Sequence, residues 1–346
     1  TICARLMNDR FALCLPREEF DEKRVADSIK ELQREFSGNS FHLHTYMGVY
    51  EIRDRDEAVS IMVDKANIAA DTIKNNYDCC VAYYDEHLLE ISIEQRRLLG
   101  EFEPALQNDE FVMYLQPQVK RDGAAKGAEA LVRWVHPSRG ILTPYAFIDI
   151  LENAGLIYKL DLYIWEKAAQ KLAEWKEKGY GSYHISVNIS TKDFYIIDIY
   201  ETFTGLINKY GIAASNLHLE ITETTLMTDF EKNMNIIHKL QGVGFRVEID
   251  DFGSGYSSLN MLKDISADVL KIDMGFLRKS ENEVKGQDIL ESIITLAGKI
   301  GMDVITEGVE TKKQLDMLTM MGCHEFQGYY FSKPVPVSEF EEKYLV

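Results

Sequence analysis

Prolines are scarce, 7 in 346 residues. With no low-complexity tract either, long disordered segments are disfavoured. No apolar run approaches about 18 residues, so nothing reads as a membrane-spanning helix. No signal peptide is legible at Thr1. Cysteine is sparse and odd in number: Cys3, Cys14, Cys79, Cys80 and Cys323. These lack metal-ligand spacing and sit in apolar runs, so they read as reduced core thiols of a cytoplasmic protein. Basic residues are outnumbered, 38 Lys and Arg against 56 Asp and Glu, for a formal charge of −18. That excess disfavours non-specific binding to nucleic-acid polymers or anionic membrane. It does not bar an anionic substrate, because bound divalent ions invert the local sign of an acidic site. None of the 8 histidines stands in an H-E-x-x-H pattern and no Ser-His-Asp set is apparent, so nucleophilic catalysis is disfavoured.

What is present is apolar mass with acids at particular points. The chain is 46% hydrophobic and 11% aromatic, enough for a large core and two domains. Six short apolar runs carry or end on an acid, an amide or a lysine. They are Gly127 to Leu131, His184 to Asn188, Leu217 to Glu220, Val247 to Asp251, Val269 to Asp273 and Val304 to Gly308. Carboxylates are rare in apolar strands unless paired or bound to metal. Helical patterns separate the runs, so the acids recur at one point of successive β-α units. In a parallel (βα)8 barrel the strand C-termini gather at one face, and chemistry sits there. Glu129, Asn188, Glu220, Asp250, Asp251 and Glu307 form an oxygen-rich set, with Lys271 as its cation. Such a set suits hard divalent ions, Mg2+ or Mn2+.

Periodicity predicts eight barrel strands: Phe111–Gln116, Ala128–Arg133, His184–Ile189, Leu217–Thr222, Arg246–Asp250, Val269–Ile272, Asp303–Thr306 and His324–Gln327. Amphipathic helices lie between most of them, which favours an α/β, TIM-like (βα)8 barrel. The first two strands are joined by the short Lys120 to Gly123 turn, so the first is expected to run antiparallel. Ahead of them, strands are expected at Arg10–Leu15, Phe41–Ile52 and Cys79–Tyr84. Helices are expected at Glu18–Phe36 and Asp56–Asn75. The expected organisation is a small α+β domain over residues 1–86, a connecting helix over 87–107 and the barrel over 108–346.

Glu129-Ala130-Leu131 followed by Arg133-Trp134 resembles the signature of EAL-domain phosphodiesterases, which hydrolyse the bacterial second messenger cyclic di-GMP. The likeness runs from about Phe111 to Val346. Further motifs follow in order: Tyr114 to Pro117, Arg133 to Pro137, Glu152 to Ile157, Ser186 to Ser190 and Glu220 to Glu223. Asp250 to Leu259, Lys271 to Asp273, Glu307 to Thr311 and Gln327 to Pro334 complete the series. Ser254 replaces a usual Thr and Thr306 a usual Ala; no catalytic position is missing. The N-terminal segment is similar to the second half of a GGDEF domain, the fold of diguanylate cyclases. There the two glycines have become Met7 and Asn8, and the metal-binding Glu has become Arg10. Glycines let backbone approach phosphate closely, and side chains obstruct that. No cyclase activity is expected, and the chain reads as beginning inside that domain.

The resemblance implies two-metal hydrolysis of cyclic di-GMP to linear pGpG. Glu129, Asn188, Glu220 and Asp250 would hold one ion, and Asp250 and Asp251 would place the second. Lys271 would orient or deprotonate the water or stabilise phosphoryl charge. Glu307 would be a general base or an outer-sphere partner. Glu223 either caps a helix or holds the loop after Asp251, and the family likeness favours the loop. Gln116, Arg133 and Gln327 would contact the dinucleotide, and Asp251 to Gly255 would form a mobile active-site loop. Asp273 and Glu248 read as structural, Glu248 lying on the strand face opposite Val247 and Ile249. Family analogy also implies a homodimer through the barrel. The rival expectations are a non-catalytic cyclic di-GMP receptor and a regulatory scaffold that binds no nucleotide.

Overall fold

The runs that end in acids fold as strands of one sheet that closes on itself. In this computed structural model the described residues are 1–7, 9–36, 43–74, 79–252, 265–275 and 283–345. The chain divides into two units, Thr1–Gly100 and Glu101–Val346.

In the first unit β1 (Ile2–Met7) and β2 (Arg10–Cys14) form an antiparallel hairpin. A parallel pair, β3 (Met47–Val49) and β4 (Val81–Tyr83), carries the helix Val59–Asp71. Gly48 makes that packing close: a Cβ there would lie 1.8 Å from the Ala66 carbonyl oxygen. The strand expected at Phe41–Ile52 shrinks to Met47–Val49, and positions 41 and 42 lie outside the described residues. The helix expected at Asp56–Asn75 is Val59–Asp71, and the one expected from Glu18 begins at Glu22. β1 was not expected, and all six of its residues are exposed. The hairpin corrects the cysteine reading too. Cys80 and Cys323 are buried and Cys79 is half-buried, but Cys3 and Cys14 lie exposed on this ribbon. All five are free thiols. The helix Glu86–Gln107 covers the expected connector, and the division between units falls within it.

Among the described residues the second unit has ten strands: β5 (Phe111–Lys120), β6 (Ala125–His136), β7 (Gly140–Leu142), β8 (His184–Ile189), β9 (Leu217–Thr222), β10 (Val247–Asp250), β11 (Val269–Asp273), β12 (Asp303–Glu307), β13 (Glu325–Phe326) and β14 (Val335–Pro336). Eight of them close a barrel in the order β5-β6-β8-β9-β10-β11-β12-β13 and back to β5. β5 is antiparallel to both neighbours, as its short turn to β6 requires, and the other barrel pairs are parallel. Pro117 does not end β5 at Gln116; pairing continues through Pro117–Ala128, with an irregularity only after Gln118. β7 and β14 are short antiparallel additions to β6 and β5.

Alternation then sorts the side chains. Ile185, Val187 and Ile189 on β8, Leu217, Leu219 and Ile221 on β9, and Val247 and Ile249 on β10 are buried on one face. That face meets helices such as Ile157–Glu177, whose apolar stripe includes Ile164, Ala168 and Leu172. The alternate residues share the interior face across neighbouring strands: Ser186 and Asn188, His218 and Glu220, Glu248 and Asp250. The core therefore lies between strands and helices, and the barrel interior is polar. Trp165 ties the two layers together, its indole N–H donating to the Asn188 carbonyl at 2.9 Å.

Candidate active site

Lys271 lies inside the barrel on β11, with 1% of its side chain exposed. Its Nζ is 2.6 Å from Glu307 Oε1, 2.8 Å from Glu220 Oε2, and 3.3 Å from both Glu129 Oε2 and Asp250 Oδ1. These acids come from β12, β9, β6 and β10, so five strands meet on one ammonium. Three polar side chains extend the cluster. Asn188 donates to Glu129 Oε1 at 3.1 Å, and Gln327 donates to Glu129 Oε2 at 2.5 Å. Gln327 also donates to Gln116 Oε1 at 3.3 Å, and Gln116 donates to the Ser332 carbonyl at 3.3 Å.

One cation against four acids, Glu129 and Glu220 buried and Asp250 and Glu307 half-buried, leaves negative charge uncompensated. Burial opposes charge on Lys271, but Asp250, Glu129, Glu220 and Glu307 together hold its pKa well above the ordinary value. The acids divide the consequences among themselves. Burial and the neighbouring Glu129 charge push Glu220 well above the carboxylate range. Burial does the same to Glu307, aided by Asp250 and Glu129 and opposed by Lys271. Burial also opposes charge on Glu129, yet Lys271 with hydrogen bonds from Gln327, Asn188 and Lys271 outweighs it, and its pKa falls. Glu220 Oε1 is buried with no hydrogen-bond partner among the described residues. An orphaned acceptor amid excess negative charge, lined by carboxylate and amide oxygens, fits a hard cation.

The rim carries the remaining expected residues. Asp251 follows Asp250 with φ at +54°, a left-handed conformation that Asp tolerates better than most residues, and its N–H donates to Asp250 Oδ1 at 2.9 Å. Burial and the Asp250 charge raise its pKa. The rest of the expected glycine-rich loop, 253–255, lies outside the described residues. Arg133 shares the Glu129 face of β6, four residues further on. Its guanidinium lies 5.4 Å from the Tyr114 ring centroid and donates to the Val132 carbonyl at 2.8 Å. Burial lowers its pKa. Gly308 follows Glu307 with φ at +68°, which suits glycine. Gly328 packs against Val309, where a Cβ would come within 2.3 Å of a carbonyl oxygen. Glu223 stands apart: it is buried at the start of the helix Glu223–Thr228, which Thr222 caps by accepting from Thr225 N–H. It is not one of the four acids on Lys271.

Residues 100–334 match the EAL domain family. The chain belongs to that family. The bifunctional diguanylate cyclase/cyclic di-GMP phosphodiesterase MucR of Pseudomonas aeruginosa is 30% identical over 346 residues, covering 97% of this chain and 50% of MucR. The cyclic di-GMP phosphodiesterase PdeR of Escherichia coli K12 is 33% identical over 240 residues, covering 69% of this chain and 36% of PdeR. A solved structure, the PaMucR phosphodiesterase in complex with c-di-GMP, superposes with a TM-score of 0.67 at 33% identity, covering 70% of this chain and 99% of that chain. The chain spans about half the length of the curated relatives it matches.

Beneath the acids this EAL barrel holds a second polar layer that the motifs do not mark. His184, His218 and Glu248 place donor atoms within 4.8 Å of one another. Burial opposes charge on Glu248, but a hydrogen bond and charge from His218 outweigh it and bring its pKa down to about 2. Burial and His218 push His184 well below the ordinary imidazole value. The signal was present in the alternation: 184, 186 and 188, 218 and 220, and 248 and 250 share one parity.

Glu220 and Glu307 hold their protons above the usual carboxylate range, so a cation that takes their oxygens must displace protons. Binding of Mn2+ or Mg2+ should therefore release protons and tighten as pH rises. Calorimetry in two buffers of different ionisation enthalpy measures the release directly. Identical heats in both buffers would show that these acids are already ionised without a cation.

Proposed function

We propose that the barrel hydrolyses cyclic di-GMP to linear pGpG. The observation that supports it is the ring of Glu129, Glu220, Asp250 and Glu307 around the buried Lys271, in an EAL family member whose relatives are named cyclic di-GMP phosphodiesterases. Glu129, Asn188, Glu220, Asp250 and Asp251 are the residues that would hold two divalent ions. Mg2+ or Mn2+ there supplies Lewis acidity and a water of lowered pKa.

The chain's own groups do the rest. Lys271 stays protonated and donates hydrogen bonds into the space the acids surround, where it orients water and meets phosphoryl oxygen. Glu307 sits at the C-terminal end of β12 and, in its ionised form, accepts the proton of the attacking water. Arg133 offers two parallel donors to a phosphate. Gln116 and Gln327, already hydrogen-bonded to each other, face the dinucleotide. Glu223 positions the segment that follows Asp251.

The first unit is read as a degenerate GGDEF-like appendage with a regulatory role. Its hairpin carries Met7 and Arg10 at the turn in place of a phosphate-approach glycine and a metal-binding acid. A homodimer through the barrel belongs to the same proposal, as does a cytoplasmic location. All five cysteines are free thiols, which agrees with a reducing compartment. Among the described residues no helix is long and apolar enough to cross a membrane.

Incubation of the purified chain with cyclic di-GMP and Mn2+ or Mg2+, followed by chromatography of the nucleotides, tests the proposal. The expected product is pGpG, and EDTA abolishes it. Binding without turnover would make the protein a receptor, and no binding would make it a scaffold.

Glu307→Gln keeps the side-chain size and removes the proton-accepting carboxylate. Turnover should fall on the order of 100-fold or more, the usual contribution of a general base, with nucleotide affinity changed far less. The 2.6 Å contact to Lys271 also supports a purely structural pairing. That alternative requires a lower melting temperature with kcat mostly retained, so kcat, affinity and Tm on this one variant separate the two.

A further inference from the structure

The layer under Lys271 is ordered by a chain of side-chain contacts. Gln118 Oε1 lies 2.7 Å from His184 Nε2. The His184 ring stacks on His218, with centroids 3.8 Å apart and planes 5° from parallel. Gly127 makes room for that stack, since a Cβ there would sit 2.4 Å from the His184 ring. His218 Nδ1 lies 2.5 Å from Glu248 Oε1, and Ser186 Oγ donates to the same oxygen at 3.2 Å. Three potential ligands within 4.8 Å invite a metal, but the parallel rings oppose one. Imidazole binds a metal through a lone pair in its own ring plane, and two parallel planes share no point.

The stack instead settles where Glu248 points. Glu248 is fully buried and in register with Glu220 on the next strand, so both carboxylates start from the same level of the barrel interior. Lys271 lies two residues further toward the strand C-termini than Glu248, and His218 two residues nearer the N-termini. Glu220 goes toward Lys271, at 2.8 Å. Glu248 goes the other way, to His218. A glutamate is long enough to take either course, and only the partner differs.

We propose that His218 is a positioning residue that draws Glu248 to the barrel floor and so keeps a fifth carboxylate away from Lys271 and the cation-binding layer, a role that rests on the phosphodiesterase reading only for its kinetic readout. His218 acts through Glu248 and touches neither substrate nor ion. Ser186 assists from β8, and His184 with Gln118 fixes the ring that does the drawing.

The test is a double-mutant cycle between His218→Phe and Glu248→Gln in the full chain. Phe keeps a ring on His184 and removes the donor. His218→Phe alone should lower kcat about tenfold with little change in KM, and should alter Mn2+ affinity as the freed carboxylate reaches the upper layer. Glu248→Gln removes the competing charge, so adding His218→Phe to it should change kcat and Mn2+ affinity less than about threefold. His218→Asn keeps a donor and should retain most of the activity. If His218→Phe does not fold, the comparison of Glu248→Gln with the double variant still decides, because neither buries an unpaired carboxylate. A further loss of kcat or Mn2+ affinity in the double variant would overturn the proposal. So would an unchanged single variant, or stoichiometric Zn2+ in the wild type that His218→Phe loses. If the wild type hydrolyses no cyclic di-GMP, the phosphodiesterase reading fails, and Mn2+ affinity across the same cycle still tests His218.

Discussion

A single buried ammonium holds this barrel's interior together. Lys271 Nζ touches carboxylates from four other strands, and each contact joins parts of the chain far apart in sequence. Removing one member of a buried ion pair costs about 3–5 kcal/mol, because the partner is left charged in a poor solvent. Here the imbalance runs further, since acids outnumber the cation. Glu220 and Glu307 respond by favouring their protonated forms, and Glu129 stays ionised through the donors around it. The arrangement is stable enough to fold yet short of positive charge. That shortage is what suits it to hard cations.

The alternation of the strands makes this arrangement affordable. Outward residues such as Val187, Leu219 and Ile249 bury fully against the helices. Burial of side chains of this size contributes about 1.5–3 kcal/mol each. With apolar burial assigned to one face, the other is left for charge, arranged in two layers. The upper one surrounds Lys271; the lower one pairs Glu248 with His218. Indole N–H of Trp165 reaching the Asn188 carbonyl links the outer packing to the end of a strand that carries the site.

The eight barrel strands are legible in the sequence because each is a short apolar run and helical patterns separate most of them. The cluster of acids is legible for a related reason: an acid inside such a run needs a partner. Other features leave no such trace. The run Ile2–Met7 buries neither face, and its pairing with Arg10–Cys14 defines it. Pro117 signals a strand end, yet β5 passes through it because a residue that donates nothing can still pack and accept. The role of Glu248 depends on which neighbour its carboxylate meets. Strand register sets that neighbour, and no local pattern encodes it. Glu223 shows the reverse: its motif is plain, but its place at a helix start keeps it off Lys271.

The dependence of the site on Lys271 is tested most directly by the melting temperature of Lys271→Met, measured in EDTA and again with Mn2+. Methionine preserves the packing and removes the charge. A loss of about 3–5 kcal/mol corresponds to a Tm about 6–20 °C lower in EDTA at pH 8, for a domain of this size. Mn2+ should recover most of it by supplying the missing positive charge to the same carboxylates. A variant that melts within a degree of wild type in EDTA would contradict the account.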